Sequence, residues 1–492
     1  MFLTIIVSLV CVYLGYVVLC RHFLPRVNEE VPTYPGRLPL IGHSYMWLKN
    51  ETLVRSAFSF GEYALKVGGV TKIFMGPLPL YIVADPADVI TVLNKCLKKM
   101  FVYRFIEPMV GNTLIAADVP TWKRNRRILD LSFKQHILDG FLELFTEQAE
   151  RFVKLLAEDA GKGEVDLTEK ISRTVVETAC RTTLGLRIDG KDLVNSNYMM
   201  AIHDLLAIPV TRINKPWLMF DFIFNMSSCK IKMTKSLAIA SRLAHQMLEI
   251  RKSKTKGDFE HEGGKFKSIL DVFLENTVTE NSSIFTDADL RNLMNSVMVG
   301  GFDTTVGQML FIFTCIGSYP EVQEKIYQEI TEVLGEDGGV TKHNISQLVY
   351  LEAAIKESMR LYPTVAMVAR EAIVDTKLRN VTIPAGSSVL VHIAGVHRNP
   401  EYWGADADEF KPERWLNPDT PKHKGAFASF SPGLRGCIGK TYALMYLKAN
   451  MAPVLRRFKL TADHTKIKLQ CEIMMKPVSG HLVRIEERRP NK

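Results

Sequence analysis

The run Phe430-Ser431-Pro432-Gly433-Leu434-Arg435-Gly436-Cys437-Ile438-Gly439 constrains this chain more than any other stretch. It sets one thiol between glycines, behind an aromatic ring and a guanidinium, and directly before a helix-like segment from Lys440 to Arg457. Glycines let a backbone turn tightly around a bulky group. Amide N–H groups aimed at a sulfur stabilise its charge and tune its electron donation. The guanidinium of Arg435 can meet a second anionic group. A lone cysteine is ordinarily an inert core residue, and the pattern around this one argues for a shaped loop that holds something large.

The first segment of the chain reads as an address. Phe2 to Cys20 is a nineteen-residue run without a charge, long enough to span a membrane as a helix, and Arg21, His22 and Arg26 follow it. A cleavable signal would have a positive start, a shorter apolar centre and a small-residue cleavage site. The reading is a signal anchor over residues 1–24, with the positive flank holding the rest of the chain in the cytosol. An anchor of this kind suits the endoplasmic reticulum. Residues 25–42 are basic and proline-rich; three prolines and two glycines between Val31 and Gly42 forbid a continuous helix and favour a stiff hinge. No low-complexity tract, repeat or Pro/Ser-rich linker divides residues 43–492, which read as one unit with a polar surface connection from Lys252 to Gly264.

Composition excludes several classes. Eight scattered cysteines without a CxxC pair suggest neither a zinc site nor a disulfide framework. The net charge of +9 suits anionic lipid or an acidic protein partner. Nucleic-acid binding would call for a concentrated basic patch on a recognisable module, and none appears.

Helical patterns dominate, with strands expected near Val70–Val83, Val381–Val391 and the C-terminus. The most distinctive helix runs from about Thr286 to Gly317, capped by Thr286 or Asp287, and would be roughly 45–50 Å long. A second helix has Ser318 near its cap, Pro320 in its first turn and Gly335 as its stop. Midway along the long helix, Gly300-Gly301-Phe302-Asp303-Thr304-Thr305 joins two weak helix formers to an acid and two hydroxyls, which suggests a bulged helix over a ligand. Glu357 and Arg360 share one helical face.

A metal held by one thiolate inside a large planar anionic cofactor is haem iron. The decapeptide matches FxxGxRxCxG at every fixed position, with Phe430, Gly433, Arg435, Cys437 and Gly439 in place, and by it the chain resembles the cytochromes P450. The resemblance covers nearly the whole length in the family's order. Within the family it is similar to the microsomal clan of fatty-acid omega-hydroxylases and related insect enzymes. It implies a mainly α fold with a minor β-sheet behind one N-terminal transmembrane helix, and residues 43–492 as the haem-thiolate catalytic domain. Cys437 becomes the axial ligand of haem b. Asp303 would relay protons and Thr304 would hold oxygen or a water. Glu357, Arg360 and Arg414, the last within Lys411-Pro412-Glu413-Arg414-Trp415, match a buried network that supports the thiolate loop. Trp122 and Arg126, in the WxxxR spacing, with Arg370 and Arg435, resemble the haem-propionate contacts. His397 is taken as structural. Several members of that clan carry a glutamate where this chain has Gly300, and that carboxylate can esterify the haem; glycine implies noncovalent haem.

The activity so implied is insertion of one atom of O2 into a lipophilic molecule: a fatty acid, a terpenoid or hormone, or a xenobiotic. A haem-thiolate isomerase or dehydratase and a noncatalytic lipid- or haem-binding protein are the alternatives. Nothing resembles an FMN or NADPH fingerprint, so electrons from NADPH would arrive through a partner, NADPH–cytochrome P450 reductase, with cytochrome b5 as an optional second donor. Basic residues near the cysteine loop, Lys440 among them, would meet the reductase's acidic face. Phe105, Leu114, Met298, Val365 and Met475 lie where the family recognises substrate. Lys215 to Phe224 holds four aromatics, read equally as core packing or as an entrance dipped into the membrane.

Overall fold

The computed structural model describes residues 25–48, 50–185, 196–253, 266–279, 282–283 and 285–488. The anchor expected over residues 1–24 lies outside these, as does most of the 252–264 connection. The hinge does not dangle. Val31 is buried, the Tyr34 amide donates to Lys72, and Gly42 bridges to Met75, so residues 31–42 run along the edge of a sheet.

That sheet is built from β1 (Val70–Met75), β2 (Leu78–Val83), β3 (Lys98–Lys99), β4 (Met367–Glu371) and β5 (Ser388–His392), in the order β1-β2-β5-β4-β3. β1 and β2 are a hairpin turned at Gly76, whose φ of +59° is the left-handed conformation that glycine adopts without strain. β5 then lies parallel to β2, with Ser388 opposite Leu80, and β4 runs antiparallel to β5. A small C-terminal hairpin, β6 (Lys468–Cys471) and β7 (Met475–Ser479), completes the strands that bear on the site.

The helical body is the larger part. Its principal helices are α1 (Asn50–Lys66), α2 (Val119–Ser132), α3 (Leu142–Ala157), α4 (Thr168–Leu184), α5 (Ser196–Asn214), α6 (Ser228–Ser253), α7 (Asp287–Ser318), α8 (Pro320–Leu334), α9 (Val349–Leu361) and α10 (Lys440–Arg457). α7 is apolar around most of its circumference, as a helix must be when it runs through a core. It packs on α4 and α9, and α10 packs on α3. Thr286 and Asp289 form a reciprocal capping box at its start. It is the one helix among the described residues long and apolar enough to cross a membrane, and most of that stretch is buried inside the protein.

One local expectation is corrected. α7 is continuous α-helix through Gly300–Thr305, without a bulge: the Thr304 hydroxyl donates to the Gly300 carbonyl at 2.7 Å, adding a bond to the ladder instead of opening it. Ser318 lies beside the cap of α8 as expected: Tyr319 is the N-cap residue, and the Ser318 hydroxyl turns back to donate to Thr314.

Candidate active site

The segment ahead of α10 is a loop that only glycines could close. Gly433 has φ +102°, and a Cβ there would lie 3.0 Å from both Cβ and the carbonyl oxygen of Leu93; one on Gly436 would come within 2.6 Å of the Ser431 carbonyl. The Cys437 amide donates to the Phe430 carbonyl at 2.8 Å, and α10 begins directly after Gly439. Burial pushes the Cys437 thiol's pKa up, against the Gly439 amide, Arg126 and Lys440. Its side chain nonetheless retains exposed surface. The two observations agree if the thiol sits deep in the molecule and faces an internal space that none of the described side chains fills. A thiol in such surroundings ionises readily only with a cation at the sulfur.

Above this loop three cations converge. Arg435 donates from Nη2 to the Ala117 and Asp118 carbonyls at 2.7 and 3.2 Å, while its Nε and Nη1 find no partner. Arg370, on β4 and 1% exposed, uses Nη1 on the Ala369 carbonyl and leaves Nε unpartnered. Burial and then the charge of Arg370 pull Arg435 down to a pKa of about 10, and burial with both arginines pulls Lys99 well below the usual lysine range. No carboxylate forms an ion pair with any of the three among the described residues. Buried cations crowded together with unused N–H donors require an anion, and the two propionates of a haem are such a group. Trp122 covers the Arg435 guanidinium at 4.6 Å.

Arg126 is placed differently. Its Nη1 donates to the Gly436 carbonyl at 2.6 Å and its Nε pairs with Asp130 at 2.7 Å, so it braces the cysteine loop from α2. Lys99 escaped the sequence reading, since a lysine pair at the end of a two-residue strand carries no spacing that would single it out.

On the opposite wall, α7 presents Gly300 and Gly301, and a Cβ on either would meet nothing within 4 Å. These glycines are not there for close packing against this chain; they border open space. Asp303 is 4% exposed, and burial raises its pKa against the pull of Lys476, with which it forms an ion pair. Its second carboxylate oxygen has no partner.

Behind the loop, Glu357 and Arg360 are both fully buried. Arg360 grips the carboxylate with Nε and Nη2, each at 2.8 Å. Arg414 donates to Glu357 at 2.7 Å and Trp415 at 2.9 Å. Nη1 of Arg360 reaches the His397 carbonyl at 2.7 Å; the His397 ring in turn accepts the Ala428 amide at 2.8 Å, two residues before Phe430. A continuous path of hydrogen bonds thus links α9 to the entry of the cysteine loop.

A cavity of about 260 Å³ lies between α1, the sheet, α5 and the β6–β7 turn. Its walls are almost wholly apolar, including Trp47, Phe60, Ile106, Ile115 and Met475, with Glu472 the one acid among its lining residues. Met475 was expected there. For Phe105, Leu114 and Val365 the residues that line it are their immediate neighbours Ile106, Ile115 and Ala366, and Met298 packs into the helical core instead.

A helical body with a deep thiol beneath unpaired buried cations is the arrangement of a haem-thiolate protein. The family model for cytochrome P450 matches residues 32–484. Similar proteins include cytochrome P450 4c21 of Blattella germanica, 28% identical over 94% of each chain. Cytochrome P450 4V2 of Homo sapiens is 26% identical over 94% of this chain and 90% of its own. Cytochrome P450 4d2 of Drosophila melanogaster is 30% identical over 80% of this chain and 82% of its own. The chain belongs to the cytochrome P450 family, in the clan of these insect and mammalian 4-type enzymes, and is an oxidoreductase of the monooxygenase class whose cofactor is haem iron.

Proposed function

We propose that this enzyme is anchored in the endoplasmic reticulum membrane, faces the cytosol, and oxidises a neutral lipophilic molecule with electrons from NADPH passed on by NADPH–cytochrome P450 reductase. When bound, haem supplies the activation of O2, one atom of which enters a substrate C–H bond while the other leaves as water with two protons and two electrons. The carrying observation is the uncovered thiol of Cys437 beneath the unpaired cations Arg370, Arg435 and Lys99.

Within this reading Cys437 is the iron ligand, and Gly433, Gly436 and Gly439 shape the loop around it. Arg435, Arg370 and Lys99 hold the propionates, with Trp122 shielding them. Arg126 fixes the loop through the Gly436 carbonyl. Glu357, Arg360 and Arg414 keep that loop in register through His397. Asp303 delivers protons, and the Thr304 hydroxyl, now bonded to Gly300, is the nearby group that can turn toward oxygen. Gly300 offers no carboxylate, so haem is held noncovalently.

The cavity supports a reading of the substrate class. Apolar walls select lipophilic molecules. Among the described residues its lining includes no lysine, arginine or histidine to pair with a fatty-acid carboxylate, which favours a neutral terpenoid, hormone or xenobiotic over a fatty acid.

The test is reconstitution with the reductase. NADPH-dependent O2 consumption with formation of a hydroxylated product is expected, and the reduced CO-bound protein should show the strongly red-shifted Soret band of thiolate ligation. Cys437→Ala should lose that band. A variant that keeps it removes Cys437 as the ligand, and turnover without NADPH or reductase would instead favour an isomerase or dehydratase.

A further inference from the structure

Asp303 is the inner end of a file of ionisable side chains that reaches the surface. Lys476 on β7 pairs with Asp303 Oδ1 and lies 3.8 Å from Glu472 Oε2. Glu472 Oε1, in the β6–β7 turn, is 3.2 Å from Nε2 of His203 on α5. Glu472 is 6% exposed and His203 58%, so the file passes from a dry interior to solvent in four residues. The other polar groups facing it are Asp204, 3.9 Å from His203; Lys232 on α6, which pairs with Asp204 at 2.7 Å; Ser236, at 3.5 Å from Asp204; and the Gln470 amide, at 3.1 Å from Glu472.

The file is not a saturated clamp. Among the described residues Asp303 Oδ2 and Glu472 Oε2 are buried and have no hydrogen-bond partner, whereas the Glu357–Arg360–Arg414 network leaves no carboxylate oxygen unused. Unused lone pairs at both buried carboxylates, with one ammonium between them, describe a path that can accept and pass on protons.

We propose that His203, Glu472 and Lys476 are the route by which protons from solvent reach Asp303. The proposal rests on the reading of Asp303 as the proton donor given above. Each step breaks one N–H or O–H bond and makes another. Lys476 gives a proton to Asp303 and becomes a neutral amine; Glu472 takes one from His203 and passes it on to Lys476; and His203 regains one from water. One proton enters per cycle and no electrons move. The hydrogen bond to Glu472 raises the His203 pKa above its usual value of 6.5, and burial raises that of Asp303, so both ends hold protons closer to neutral pH than free side chains would. Glu472 also lines the apolar cavity, which puts the path within reach of whatever occupies it. His203, Glu472 and Lys476 are positioning and relay residues; none touches the reacting atoms.

The experiment uses the full haem-loaded chain with reductase, in the wild-type form and as His203→Gln, Lys476→Met and Asp303→Asn. His203→Gln keeps an N–H toward Glu472 but cannot carry a proton. It should lower product formation several-fold, abolish the fall in rate as pH rises through the His203 pKa, and enlarge the solvent deuterium isotope effect, while haem content and the CO spectrum stay as in wild type. A second readout needs no turnover. The infrared band of the Asp303 carboxyl, protonated by lowering the pH and assigned by its loss in Asp303→Asn, should exchange more slowly on mixing with D2O in His203→Gln and Lys476→Met. If Asp303→Asn slows turnover but the other two variants keep wild-type pH profile, isotope effect and band exchange, the route is overturned and the role of Asp303 stands. If Asp303→Asn turns over normally, the reading of Asp303 fails, and band exchange alone decides whether the file conducts: unchanged exchange overturns the route as well.

Discussion

His397 and His392 each have both ring nitrogens committed, and this fixes their charge. His397 donates from Nδ1 to the Arg360 carbonyl at 3.0 Å and accepts the Ala428 amide on Nε2. His392 donates from Nε2 to Ala57 at 2.7 Å and accepts the Gly395 amide at 2.8 Å on Nδ1. A second proton on either ring would face an N–H group. Burial lowers the pKa of His397 to about 3 and of His392 to about 4, from 6.5. Because the folded pKa is depressed for these bases, the unfolded chain binds more protons below pH 6.5. The stability is therefore complete above 6.5 and drains away as pH falls toward 4 and 3, by about 1.4 kcal/mol per pH unit for each ring. Denaturant unfolding at pH 6.5 and 5 should show this loss, in a window above the ordinary titration of carboxylates. A flat stability across it would mean that neither ring is held neutral. His203 has the opposite sign, its contribution being present below 6.5 and lost as pH rises through its raised pKa, and its exposure keeps that contribution small. At this scale the sequence was most legible where chemistry is contiguous: Cys437, Gly433 and Arg435 lie in one decapeptide. Lys99, Glu472, Lys476 and His203 were not, because only folding brings a strand end, a hairpin and two helices together.

Among the elements, α9 and α7 carry the testable weight. Arg360 on α9 makes its bidentate contact with Glu357 in a fully buried setting. Arg360→Ala would leave the carboxylate with Arg414, Trp415 and the Lys411 amide and would strip hydrogen bonds from the carbonyls of His397, Ala407 and Glu409. The expected cost is roughly 3–5 kcal/mol, seen as a loss of haem-loaded protein on purification and a lower unfolding midpoint. Normal haem content would show that the loop does not depend on this network. On α7, Thr304→Ala removes a hydroxyl whose only partner among the described residues is a carbonyl one turn back, so folding and the CO spectrum should be unchanged. Product per NADPH should fall and hydrogen peroxide rise. Wild-type coupling in this variant would reduce Thr304 to a helix-packing residue. The limits of α7 were legible because its capping box is local. The start of α8 was legible for the same reason, with Ser318 beside the cap and Pro320 in the first turn. Which side of a loop faces into the cavity was not legible, because tertiary packing sets it and local pattern does not: Ile106, Ile115 and Ala366 line the wall beside Phe105, Leu114 and Val365.

For the molecule as a whole, the mainly helical class was legible from periodicity, whereas the sheet order was not: β2 pairs in parallel with β5, from the other end of the chain, and no local signal announces it. The surface shows a further whole-molecule feature. Of the four aromatics between Lys215 and Phe224, Phe224 is buried beneath Arg212, but Trp217, Phe220 and Phe222 are 52%, 67% and 77% exposed, and Met226 beyond them is 76% exposed. In the hinge, Leu38, Leu40 and Ile41 are exposed as well. Apolar side chains concentrated in this way on a chain with an anchor-like first segment are disposed to enter a bilayer's interface, where an indole ring is especially well accommodated. The last prediction follows: in full-length protein reconstituted into vesicles, the tryptophan fluorescence that disappears in Trp217→Phe should be quenched by lipids brominated near the headgroup end of their acyl chains. Replacing Phe220 and Phe222 with serine should weaken that quenching without lowering stability, because neither ring is packed in the fold. A Trp217 signal indifferent to brominated lipid would put this segment in water, and the entrance to the cavity would then have to be sought away from the membrane.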